Sequence, residues 1–153
     1  MNQYQAMREK QQKAFNDIPV WFAFGIDQFE KKLSELGLTM EQAKEEIVNI
    51  GAGGYCKKAD YILYKQFCDN TDKEMKEALQ RFDFAVDAFK YEMANHEFCI
   101  TNDYADAVAA IGLTEDEILG STRLLEALKE ATRLYKQGQQ EMEQREEKER
   151  MEA

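Results

Sequence analysis

The sequence has one proline, one histidine, three cysteines and eight glycines among its 153 residues. A single proline excludes Pro-rich linkers and argues against a loop-rich scaffold. An odd number of cysteines excludes a fully paired disulfide framework. A lone histidine leaves one imidazole for acid–base or metal chemistry. No uninterrupted apolar run approaches the roughly 20 residues of a membrane helix. The polar opening MNQYQAMREKQQKAF does not read as a signal peptide. Positive charge is in deficit: 20 Lys and Arg against 30 Asp and Glu leave a net charge of −10. Phosphates are repelled by that balance, so broad direct nucleic-acid binding is disfavoured, although Lys31-Lys32 and Lys57-Lys58 leave room for local basic patches. Together these shortages point to a soluble protein of a reducing cytoplasm.

What is present suffices for a core. Hydrophobic residues make up 44% and aromatics 11%, which excludes a wholly disordered chain. The length fits one domain. The expected organisation is a single globular domain over 1–135 and a charged tail over 136–153. That tail lacks a heptad seam and reads as a solvated or frayed helix.

Periodicity predicts a first helix over 2–17, with Tyr4, Met7, Gln11 and Phe15 at helical spacing and Tyr4, Met7, Ala14 and Phe15 as packing candidates, stopped by Pro19. The aromatic run 20–24 predicts a strand, and 27–36 a helix ended by Gly37. Thr39-Met40-Glu41-Gln42 has the form of a capping box opening a short helix. Residues 47–50 and 55–58 predict strands around the turn Gly51-Ala52-Gly53-Gly54. A helix is expected from 59 or 60 with Ile62, Leu63, Gln66 and Phe67 inward, broken at 68–70. A second capping box at Thr71–Glu74 then opens a long helix to Asn95, whose face is Phe82, Ala85, Val86, Phe89 and Met93. Residues 97–100 favour an edge strand. Asp103 opens a helix to Ile111, Thr114–Glu117 forms a third capping box, and a last helix starts at Thr122. Gly37-Leu38-Thr39 and Gly112-Leu113-Thr114 repeat one order, namely helix stop, apolar residue and capping box. The fold class is therefore α+β and predominantly helical, with five to seven helices packed on a small antiparallel sheet.

Catalytic equipment is sparse. His96 lies three residues before Cys99, but zinc would need Cys56 and Cys68 to converge there, and no pair has C-x-x-C spacing. The glycine turn lacks the P-loop signature, and Cys56 stands where a dinucleotide fingerprint needs its third glycine. Neither Ser34 nor Ser121 lies in a nucleophile elbow. Trp21, Phe22 and Phe24 form either a partner platform or core. No catalytic residue, cofactor or metal ligand is assigned, and the protein is read as a non-enzyme.

Gln11-Gln12-Lys13 through Trp21-Phe22-Ala23-Phe24, Gln28-Phe29-Glu30 and Leu36-Gly37-Leu38 resemble the opening of a family of small uncharacterised proteins. These are found in gut Firmicutes, their phages and mobile elements. Ile50 through Tyr55 with Lys58 and Asp60 is similar to that family's glycine turn. Tyr91-Glu92 with Asn95-His96-Glu97-Phe98, and Ala110 through Thr114, resemble its later signatures. The resemblance spans residues 8–130. It implies a mobile-element protein acting against host defence, related to anti-CRISPR inhibitors of Cas9. The partner implied is a CRISPR effector in the host cytoplasm; the resemblance supplies no contact map, and the shared motif positions Lys57, Lys58, Asn95, His96 and Glu97 are the partner-binding candidates to test. Two alternatives remain: a small metal-dependent or nucleotide-directed enzyme using His96 and Cys99, and a homodimeric interaction protein without a defence role.

Overall fold

The computed structural model describes residues 1–96 and 98–153, with Cys99 and Ile100 described in their backbone alone. The elements in chain order are α1 (Gln3–Asn16), β1 (Val20–Phe22), α2 (Ile26–Glu35), α3 (Met40–Glu46), β2 (Ile47–Gly51), β3 (Gly54–Lys57), a 3₁₀ turn (Lys58–Asp60), α4 (Tyr61–Ala78), α5 (Phe82–Asn95), α6 (Phe98–Thr101), α7 (Ala105–Ala110), α8 (Glu115–Leu119) and α9 (Thr122–Glu152). The fold is a predominantly helical α+β architecture with one small antiparallel sheet. No helix among the described residues is long and apolar enough to cross a membrane. The residues cluster into two compact units, Lys10–Lys73 and Met1–Glu9 with Glu74–Ala153.

The 10–73 unit is built on the sheet, in the order β1-β3-β2. Trp21 pairs with Tyr55 across β1 and β3, and Val48 with Cys56 across β2 and β3. The β2–β3 hairpin turns through Ala52 and Gly53, at φ 51° and 77°. Positive φ at both central residues matches the strand twist in a two-residue hairpin. Strand β1 is shorter than expected and ends at Phe22; the Ala23 amide still donates to the Gly53 carbonyl at 2.9 Å, and the Phe24 amide donates to Gln28 Oε1 at 2.8 Å where the chain enters α2. Trp21 packs on Phe29 and Tyr55, and buried Leu33, Ala43 and Cys56 complete the interior.

In the other unit, α5 packs along α9 and against α6 and α7. Ala85, Ala88 and Phe89 of α5 and Ala127 and Ala131 of α9 are wholly buried. Tyr4 reaches this core, its ring edge-on to Phe84 and 5.5 Å from Tyr91. The start of α1 is held by α5: the Gln3 amide donates to Asp87 Oδ2 at 2.8 Å, and Asn2 Nδ2 donates to the Asp87 carbonyl at 2.9 Å. A carboxylate from a neighbouring helix thus satisfies an amide that has no partner within its own helix.

The repeated corner forms twice. After α2, Gly37 takes φ 70°; its amide donates to the Ser34 carbonyl and the Leu38 amide to the Leu33 carbonyl. After α7, Gly112 takes φ 85°, with the Ala109 and Val108 carbonyls in the same roles. This is a Schellman stop, which favours glycine because a Cβ disfavours the left-handed conformation. Thr39 with Gln42 and Thr114 with Glu117 then close reciprocal capping boxes.

Several expectations need correction. Helix α4 runs unbroken through Thr71, whose hydroxyl donates to the Cys68 carbonyl at 3.0 Å and caps nothing. The expected break at 68–70 falls instead at 79–81, where the Gln80 and Arg81 amides donate to the Glu77 and Ala78 carbonyls at 3.2 and 3.0 Å, so the long helix expected from Thr71 to Asn95 is divided between α4 and α5. Ile62, Leu63 and Gln66 are exposed, and the shielded side is Tyr64, Phe67, Cys68 and Thr71. Phe82 is exposed at the first turn of α5, and Phe84 is buried in its place; Ala14 is exposed. The expected strand 97–100 is instead a helical turn over Phe98–Thr101, closed by the Asn102 amide on the Phe98 carbonyl at 2.8 Å. Burial of Phe98 against Tyr135 outweighs the β preference of four residues. Glu97 lies outside the described residues.

Helix α9 continues to Glu152 across Gly138. Nothing lies within 4 Å of a Cβ added there. Gly138→Ala is expected to raise the unfolding free energy of this segment by about 0.5–1 kcal/mol. Increased helicity by circular dichroism and slower amide exchange around residue 138 would check it.

Candidate functional site

Asn95 and His96 close α5. Asn95 is exposed, while the His96 amide donates to the Glu92 carbonyl at 3.0 Å. His96 Nε2 lies 3.2 Å from Glu92 Oε2. On the other side of that carboxylate, the Tyr4 hydroxyl donates to Glu92 Oε1 at 2.6 Å. Glu92 is 7% exposed, so Tyr4, Glu92 and His96 form a connected polar chain from the core to the surface. Burial first, and then the hydrogen bond to Glu92, hold the Tyr4 hydroxyl well above the usual tyrosine range. The chain has the linkage of a positioned imidazole but no partner hydroxyl for nucleophilic chemistry from either serine. Ser121 Oγ accepts the Leu124 amide at 3.2 Å as the cap of α9, and Ser34 is exposed on α2. The Cys99 side chain and Glu97 lie outside the described residues. Among the described residues no three His, Cys, Asp or Glu side chains converge as metal ligands. Cys56 is a buried free thiol and Cys68 a half-buried one.

Lys57 and Lys58 belong to the 10–73 unit and are exposed where β3 passes into the 3₁₀ turn. Lys57 lines a hollow of about 240 Å³ with Lys32, Asp60, Trp21 and Leu36. The two basic pairs of the sequence thus send one lysine each to one place. In the same unit, Phe22 and Phe24 stack within 9° of parallel and stand 49% and 75% exposed. Trp21 instead packs inward, so the aromatic run divides between platform and core.

Charge is divided unevenly between the units. Residues 10–73 carry 10 acidic and 9 basic side chains, whereas Met1–Glu9 with Glu74–Ala153 carry 20 and 11. Almost the whole net charge, −9 of −10, therefore lies in the second unit. Between Lys90 and Arg123 there are seven acids and no Lys or Arg. Asp103, Asp106, Glu115, Asp116 and Glu117 in that stretch are all exposed. Two of them, Asp103 and Glu115, line a groove of about 400 Å³ between α7, α8 and the start of α9. A count of charge by segment finds the acidic stretch in the sequence. The Tyr4–Glu92 bond joins residues 88 apart and leaves no sequence signal.

Fold and surface together define a small helical α+β protein with one strongly acidic unit and one nearly neutral unit that carries an exposed aromatic pair. The chain belongs to a family of unknown function, DUF7659, whose model matches residues 3–134. No curated protein and no solved structure matches it.

Proposed function

We propose that this protein acts by occupying a basic surface of another macromolecule, and that it is a mobile-element inhibitor of host defence that binds Cas9. The observation that carries the reading is the concentration of net charge, −9, on one unit. Fields of one sign attract complementary surfaces and speed encounter. CRISPR effectors hold guide and target in positively charged channels, which an acidic protein would fill in place of nucleic acid. The likeness of the glycine turn and the Asn95-His96 segment to proteins of gut Firmicutes phages and mobile elements supports the choice of partner. Binding is stoichiometric, with no chemical step. Lys57, Lys58, Asn95, His96 and Glu97 are the contact positions to test first.

The experiment is target cleavage by a panel of Cas9 orthologues with this protein in excess. At least one orthologue is expected to lose most of its activity, and the inhibition should weaken steeply as salt rises. Full cleavage by every orthologue at large excess would overturn the choice of partner. Inhibition indifferent to salt would overturn the electrostatic mechanism.

A further inference from the structure

We infer that the groove between α7, α8 and the start of α9 is a docking site for a basic amphipathic peptide segment of a partner protein. Its floor is apolar: Val108, Ile118 and Leu128 line it and are themselves at least nine-tenths buried. Its lip carries two large side chains that the fold leaves open to water, Tyr104 at 42% and Leu119 at 63% exposure. Burying such groups is the main favourable term in helix-in-groove recognition, where leucine or aromatic anchors enter at helical spacing.

The rim selects the occupant. Asp103 and Glu115 line the groove, and Asp106, Asp116 and Glu117 are exposed on the same two short helices. No ion pair among the described residues neutralises them. Two of the five have local work: Asp103 Oδ1 accepts the Ala105 amide at 2.9 Å, and Glu117 closes the capping box with Thr114. Glu115, Asp116 and Asp106 are left facing solvent. An anionic ligand would be repelled, and a neutral apolar molecule would leave the rim charges without counterparts. A segment with leucine or aromatic anchors on one face and Lys or Arg on the other fits both floor and rim. The site requires no particular effector, so peptide titration and nuclease assay succeed or fail separately.

The test uses the full chain and three fluorescent peptides of about four helical turns. The first has Leu at i, i+3, i+4 and i+7 with Lys elsewhere. In the second every Lys becomes Glu, and in the third every Leu becomes Ser. Anisotropy titration near physiological salt should show saturable binding of the first, with the other two weaker by about tenfold or more. Leu119→Ser should weaken the first peptide by about fivefold, and so should the pair Glu115→Gln with Asp116→Asn. All three substitutions are at exposed positions, so an unchanged melting temperature confirms that each variant is folded. Failure of the first peptide to bind would overturn the proposal. So would equal binding of the Leu-free peptide, which means diffuse electrostatics, or of the Glu peptide, which means an apolar pocket alone. Unchanged affinity in folded variants would overturn the placement.

Discussion

Phe89→Ala is expected to lower the unfolding free energy by about 3–5 kcal/mol. Phe89 is wholly buried at the middle of α5, the helix that packs on α9, α7 and α6. It belongs to one core cluster with both alanines and larger apolar side chains, which relax only in part around a lost ring. Ala85, Ala88, Ala127 and Ala131 in that cluster have no exposed area and no side chain long enough to fill such a space. The loss therefore combines the transfer term for the ring with a term for the remaining cavity. Against a stability of roughly 5–15 kcal/mol for a domain, that is a large fraction. Urea unfolding followed by circular dichroism measures it. Phe24→Ala is the control: at 75% exposure its loss should stay within about 0.5 kcal/mol. A loss below about 1 kcal/mol at Phe89 would contradict the packing described.

Tyr4→Phe is expected to cost about 1.5–3 kcal/mol, the range for a hydrogen bond to a charged group. The ring remains, so contacts with Phe84 and Tyr91 are kept and only the hydroxyl is lost. Glu92 Oε1 then lacks its donor at 2.6 Å, and His96 still faces Oε2. A pH dependence separates this from a packing effect. Burial and the Glu92 bond place the folded hydroxyl above its unfolded value near pH 10. Its contribution is thus complete below about pH 10 and is lost as pH rises toward the folded value. Tyr64, held above the usual tyrosine range by its hydrogen bond to Cys68 and then by burial, acts in the same direction. Wild-type stability should fall above about pH 10, and the gap to Tyr4→Phe should narrow there. Parallel curves would sink the assignment.

Much of the local structure is legible in the sequence because local physics decides it. The Gly37 and Gly112 stops and the Thr39 and Thr114 capping boxes involve residues within five positions of one another. Their hydrogen bonds form wherever the chain goes next. The hairpin around Ala52 and Gly53 is local in the same way. Thr71 shows the limit. It heads the same four-residue pattern as the other boxes, yet its hydroxyl bonds the Cys68 carbonyl inside a continuous helix. A capping box stabilises an end only where something else ends the helix, and no stop residue precedes Thr71. The candidate site was legible in part: His96 and the paired lysines stood out as types, but their partners did not.

The sequence by itself determined the helical α+β class, the two glycine corners, the hairpin and an acidic balance, since each follows from composition or from neighbours along the chain. Tertiary structure alone decided that residues 1–9 join residues 74 onward, that Tyr4 reaches Glu92, that Phe98–Thr101 coils and that apolar and acidic side chains meet in one groove. The reason is separation. A contact between residues tens of positions apart depends on which buried faces pair, and many such pairings share the same local pattern.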